Sequence, residues 1–267
     1  MDTLLKKIEG TKAFEGTRAL LNPISGESRQ RPAIATGHVD ADGVLPGGIL
    51  PGVLHEVFAG DMSAAACGFA AGLAHRVRGK KRLLWIRQDY AALEHGEICA
   101  TGLAELGIDP SMVLMLRAAN APDVLKAATD ALSCFALGAV IAEVPGNPRI
   151  LDLVATRRLT LGAQNKGVTA ILLRPCAHPE PSAAETRWTI RTTASAEHDE
   201  DWGRPCFDAA LTRNRHGETG RWAMEWNPDD GVFAKPADQP ATDHGPVAAA
   251  TANGPLAAQD RNWRRAG

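Results

Sequence analysis

The residues that come nearest to doing chemistry lie in a short loop. The run Val53–Phe58 reads as a strand, Ala64–Val77 is Ala-rich and free of proline, and GDMSAAACG, Gly60 to Gly68, runs between them. A strand, a glycine-containing loop and a helix form the setting of a phosphate-binding loop. That motif, G-x-x-x-x-G-K-[ST], needs glycines so that backbone N–H groups can wrap phosphates. It also needs a lysine against the β- and γ-phosphates and a hydroxyl to hold magnesium. Counted from Gly60, the Gly, Lys and Ser/Thr positions fall on Ala65, Ala66 and Cys67; shifted by one residue, they fall on Ala64, Ala65 and Ala66. Neither register offers a cation or a hydroxyl. Phosphoryl transfer is nearly all positioning and charge neutralisation, so neither ATP turnover nor a bound cofactor is expected.

Other chemistries have less support. The cysteines Cys67, Cys99, Cys134, Cys176 and Cys206 are odd in number, widely spaced and without a CxxC pair. That argues against a disulfide framework or a zinc ribbon. Cys176 and His178 stand close together, but the segment Pro175–Pro181 brings no second ligand pair. The formal net charge of −2 gives no global attraction to nucleic acid, so any basic surface must be local. Met1–Lys12 lacks the apolar core of a secretory signal, and no run approaches the length of a membrane span. A soluble, cytoplasmic chain with no membrane partner is expected.

The elements that would carry the loop alternate. Arg82–Ile86, Val113–Leu116, Ala139–Glu143 and Thr169–Leu173 are short apolar runs that read as strands. Leu93–Leu106, Ala121–Phe135 and Pro148–Asn165 read as the helices between them. The runs are continuously apolar, as strands buried on both faces are. Strands and helices in alternation predict an α/β fold, a mostly parallel sheet flanked by helices. Past Pro175 the pattern changes. Arg187–Ala194, Phe207–Thr212 and Arg221–Trp226 alternate apolar and polar residues, the last two around the polar loop RNRHGETG, which predicts a C-terminal antiparallel hairpin extension. Residues 1–36 read as a short amphipathic helix and a linker, 37–233 as the core domain. Residues 234–267, rich in Ala and Pro, read as a disordered tail.

With these elements in place, GGILPGVLHEVFAG resembles the entry to the RecA core, where a Gly-Gly-Leu-Pro-x-Gly turn precedes the strand into the phosphate loop. More closely, LPGGILPGVLHEV resembles the ImuA family, RecA-like proteins of bacterial damage-inducible mutagenesis operons. Two later segments, SAAETRWTIRTTAS at Ser182–Ser195 and GRPCFDAALTRNRHGETGRWAMEW at Gly203–Trp226, extend the likeness, which covers roughly Val39 to Phe233. It implies a RecA-like core with a degenerate nucleotide site near Gly60, Ala65, Ala66 and Cys67. By comparison with RecA, Asp89 takes the place of the glutamate that activates water, and Glu143 that of the Walker B aspartate. Polar residues are also common at strand ends, and without a lysine opposite them that plainer reading is preferred.

The same resemblance places DNA-binding loops in the stretch Arg149–Arg191. There Arg149, Arg157, Arg158, Lys166, Arg174, Arg187 and Arg191 outnumber Asp152, Glu180 and Glu185. Such an excess can contact phosphates, or it can be the solvated face of a helix. In the N-terminal segment, Leu4, Leu5, Ile8 and Phe14 make an apolar stripe. It can dock on a neighbour, as RecA-type N-terminal elements do, or pack on the chain's own core. The tail RNWRRAG, with Trp263, Arg264 and Arg265, reads as a docking peptide or as an unselected terminus.

The resemblance implies a non-catalytic accessory protein in SOS-induced mutagenesis and translesion DNA synthesis, nucleoid-associated on DNA damage. Its implied partners are the ImuB pseudo-polymerase, an error-prone C-family DNA polymerase, RecA, and DNA weakly. Two other readings stay open: a cell-division inhibitor like SulA, and a weak ATP-binding protein with an unusual loop.

Overall fold

The structure is a computed structural model that describes residues 31–62, 64–195 and 203–236. The N-terminal stripe, the tail and its Trp263, Arg264 and Arg265 lie outside the described residues.

The chain enters at Arg31, forms a single bridge between Ile34 and Ile49, and passes through helix α1, Val39–Val44. Composition alone reads that segment as turn. It is helical because His38 caps it, its side chain accepting from the Ala41 N–H at 3.3 Å, and Asp40 and Asp42 favour the first turn. Strand β1, Leu54–Ala59, then leads through the Gly60 loop into helix α2, Ala64–Arg78. Next come β2, Arg82–Gln88, and helices α3, Asp89–His95, and α4, Ala100–Glu105. These two helices replace the single helix expected over Leu93–Leu106. Gly96 ends the first at φ 82°, a conformation that costs glycine little and interrupts the hydrogen-bond ladder. Strand β3, Val113–Ala118, and helix α5, Ala121–Ala131, follow, the latter capped by Asn120, which accepts from the Asp123 N–H at 3.0 Å. Strand β4, Leu137–Glu143, helix α6, Leu153–Lys166, and strand β5, Thr169–Pro175, complete the alternating part. Helix α6 starts later than Pro148 because Asp152 is its cap, accepting from the Ala155 N–H at 2.8 Å.

Strands β6, Thr186–Thr192, β7, Cys206–Asn214, β8, Gly220–Asn227, and β9, Val232–Ala234, finish one nine-stranded sheet of order β3-β2-β4-β5-β1-β6-β7-β8-β9. The first six in that order pair in parallel; β6 to β9 form an antiparallel meander. The architecture is a RecA-like α/β core, mostly parallel, with antiparallel strands at its C-terminal end. The extension is one strand longer than a hairpin.

Strand alternation divides the core in two. Ala139, Ile141, Ile171 and Leu173 face one side with α2, whereas Val140, Ala142, Ala170 and Leu172 face the other with α5 and α6. On the α2 side, Phe69 stands among Trp188, Phe207 and Phe233 with ring centroids 4.9–5.7 Å away. Each such buried side chain contributes about 1.5–3 kcal/mol of burial. Helix α2 approaches this closely because position 72 is glycine: a Cβ there would lie 2.8 Å from the Phe233 ring and 2.9 Å from Trp226. Strand β3 departs from expectation. It is the outer strand of the sheet, and Leu114, Met115 and Leu116 are 40–43% exposed.

Candidate functional site

The carboxyl ends of β1, β2, β4 and β5 meet where an open α/β sheet ordinarily binds ligands. Glu143, at the end of β4, is wholly buried. Arg87, on the neighbouring strand β2, donates from Nε to Glu143 Oε2 at 2.8 Å and from Nη2 to Oε1 at 3.1 Å, and the Trp85 indole N–H donates to Oε2 at 3.0 Å. The remaining Arg87 Nη1 donates to the Gly96 carbonyl at 3.0 Å. A forked guanidinium on both carboxylate oxygens is a strong, directional pair. It leaves Glu143 no oxygen facing solvent for a magnesium ion.

The loop matches this. Gly60 is outside the left-handed region, and a Cβ there would meet nothing within 4 Å, so the backbone does not demand glycine as a phosphate-wrapping turn does. Ala66 is buried, and Ala65 is partly so. Cys67, in the place of the magnesium-binding hydroxyl, has its thiol pushed up to about 12, first by burial and then by the charge of Glu143. It therefore stays a neutral thiol, and the thiolate is the form that ligates metal or attacks. Asp89 opens α3 half-exposed and lies 3.4 Å from Arg117 of β3, which also pairs with Glu97 at 2.6 Å. Asp89 is thus paired toward the outer strand, whereas Glu143 is held inside.

The basic stretch separates into two groups. Arg149, Arg157, Arg158, Lys166 and Arg191 are exposed. Arg174 is 2% exposed; it donates to the Gly146 carbonyl at 2.7 Å and stands 5.3 Å from the Phe58 ring centroid. Arg187, also 5.3 Å from that ring, donates from Nε to Glu56 Oε2 at 2.8 Å and from Nη2 to the Glu180 carbonyl and the Ser182 hydroxyl. Arg187 thus ties the connector after β5 to β1, Arg174 joins the loop after β4 to the same strand, and a phosphate surface has the exposed five to draw on. Cys176 and His178 are exposed, and the described residues contain no cluster of three or more metal-ligating side chains.

Sequence reasoning missed the polar groups inside β1. His55 is fully buried: its Nε2–H donates to the Leu50 carbonyl at 2.8 Å, and its Nδ1 accepts from the Thr186 hydroxyl at 2.7 Å. That hydroxyl in turn accepts from the Trp188 indole at 3.1 Å. Glu56 accepts from Ser182 Oγ at 2.8 Å besides Arg187. Polar residues inside an otherwise apolar strand were the available signal, since buried polar groups must find partners.

Fold and strand-end geometry define the class: a RecA-like α/β core whose central carboxylate is locked to an arginine. No protein-family model matches the chain. The chain is similar to Protein ImuA of Caulobacter vibrioides (strain NA1000 / CB15N), 29% identical over 220 residues, which are 75% of this chain and 86% of the relative. Protein ImuA of strain ATCC 19089 / CIP 103742 / CB 15 of the same species matches with the same figures.

Proposed function

We propose that this protein is an accessory factor of damage-induced mutagenesis that works through macromolecular contacts and not through ATP turnover. The observation that carries the reading is the sealed carboxylate: both oxygens of Glu143 are bound by Arg87 and Trp85 in a dry interior. Alanine and cysteine at the loop positions for lysine and hydroxyl support it. A RecA-like fold without its metal site is of use for its surfaces. The outer edge of β3, which no other described strand pairs, is one such surface, since a strand edge with half-exposed Leu114, Met115 and Leu116 accepts an added strand from a partner. The similarity to ImuA points to translesion DNA synthesis. The corresponding partners are the ImuB pseudo-polymerase, an error-prone C-family polymerase and RecA, with DNA contacted through Arg149, Arg157, Arg158 and Lys166. Action in the cytoplasm, at damaged nucleoid DNA, follows from that role. No helix among the described residues is long and apolar enough to cross a membrane.

Two measurements test the reading. A pull-down from damage-treated cells with the full chain should recover polymerase-type partners; recovery of the tubulin-like division protein instead would overturn it in favour of a SulA-like inhibitor. Titration with magnesium-ATP should show no saturable binding. Micromolar binding that disappears when Asp89 and Glu143 are substituted would sink the ATP-free part.

A further inference from the structure

Helices α5 and α6 leave a groove of about 470 Å³ between them on the face opposite α2, walled by Leu125, Thr129, Ile150, Val154, Ala155 and Leu159. Its apolar surface continues along α6. Ile150, Leu153, Val154 and Leu161 are 49–56% exposed, and Val154 and Leu161, seven residues apart, share a helix face. Ile150 and Val154 belong to the groove's lining, and Leu153 and Leu161 add exposed apolar surface on the same helix, of the kind that a partner surface covers. The rim carries both signs, Lys126 and Arg158 with Asp130 and Asp152, around an apolar floor.

The point where the chain enters the fold lies on the same helix. Arg31 Nη1 donates to the carbonyl of Gly167, the left-handed residue that ends α6, at 2.6 Å. The first described residue thus stands at the C-terminal end of α6, while the groove lies over the helix's first turns. A 14-residue helix is about 21 Å long, and nine extended residues span up to about 30 Å. Nine residues, as many as separate Leu21 from Arg31, are thus long enough to span α6. Immediately before them comes the segment whose Leu4, Leu5 and Ile8 recur at helical spacing.

We propose that the α5–α6 groove is the seat of the chain's own N-terminal segment, Met1–Leu21, bound in cis with Leu4, Leu5 and Ile8 against Ile150, Val154 and Leu161. The proposal does not depend on the function above. Binding in cis follows from the tether: a segment anchored one helix length from the groove meets it at an effective concentration near millimolar, above that of any second copy in dilute solution.

Hydrogen exchange on the full chain tests this, comparing the natural sequence with Leu5→Asp and Val154→Asp. Val154 is 56% exposed, so its substitution should leave the thermal midpoint in place. Amides of residues 1–21 should be protected in the natural chain, and either substitution should cut that protection at least about tenfold, together with protection over residues 153–161. The result should be unchanged over about a hundredfold range of protein concentration. Random-coil exchange of residues 1–21 in the natural chain, or protection indifferent to Val154→Asp, would overturn the proposal. Protection that grows with concentration alongside a dimer in sedimentation would overturn it in favour of a second copy. If Val154→Asp disturbs the fold, Leu5→Asp alone decides.

Discussion

Glu143 and Arg87 are 56 residues apart in the chain, both almost completely buried, and each satisfies the other. A buried pair of this kind is costly to break from one side. Glu143→Ala should lose about 3–5 kcal/mol in urea unfolding because it strands a buried guanidinium, and adding Arg87→Met should restore a large part of that. A Glu143→Ala loss below about 1 kcal/mol would mean that the pair is solvated and the carboxylate available to a metal. His55 makes a prediction about pH. Burial lowers its pKa from 6.5 to about 4 in the folded chain, partly opposed by its bond to the Leu50 carbonyl. The unfolded chain therefore binds more protons between those values. The stabilisation is complete above pH 6.5 and is lost as pH falls toward 4, on the order of 3 kcal/mol. Protonation would also place an N–H against a Thr186 hydroxyl that now donates to it. His55→Gln should flatten this acid limb in a series of chemical denaturations from pH 7 to 4; an unchanged slope would assign the limb to other groups.

At the scale of elements, α2 and β3 carry the sharpest expectations. Helix propensity alone says that Gly72→Ala stabilises α2 by about 1 kcal/mol. Packing says the opposite, since the new methyl would enter the Trp226 and Phe233 rings, and overpacking costs about 1–3 kcal/mol. Packing should win, and the thermal midpoint should fall; a rise would show that the aromatic cluster can yield. Leu116→Lys on β3 should change stability by less than about 0.5 kcal/mol because the side chain is 40% exposed. In a pull-down it should remove whichever partner adds a strand there. Unaltered recovery would clear the β3 edge of a recruiting role.

For the whole molecule the question is what the exposed basic residues contact. Arg157 and Arg158 stand exposed on α6, Arg158 at the rim of the apolar groove, on the opposite side of the sheet from the antiparallel aromatic core. If DNA lies there, charge neutralisation dominates: the Arg157→Ala/Arg158→Ala variant should weaken binding without regard to sequence and lower the salt slope by about 2. Affinity and slope both unchanged would leave the residues as a solvated helix face. Arg174→Ala, by contrast, should act on stability, because its guanidinium is inside the fold with Gly146 and Phe58 as neighbours.

The sequence by itself determined the alternation of strands and helices from β1 to β5, the antiparallel hairpin that follows, and the lack of a lysine and a hydroxyl at the counted loop positions. Those are local properties, carried by periodicity, turn residues and side-chain identity at counted positions. Tertiary structure decided what the run Val113–Leu116 could not: an apolar strand reads the same in the middle of a sheet as at its edge, and only the crossovers place β3 outermost. It decided equally that Arg174 and Arg187 turn inward while Arg157 and Arg158 stay out, although all four read alike as basic residues of one stretch. It also decided that Glu143 is held by Arg87, because pairing between adjacent parallel strands joins residues that counting along the chain keeps far apart. That the loop between β1 and α2 carries alanine and cysteine at the counted positions was legible; that Glu143 is locked became visible only when β2 and β4 lay side by side.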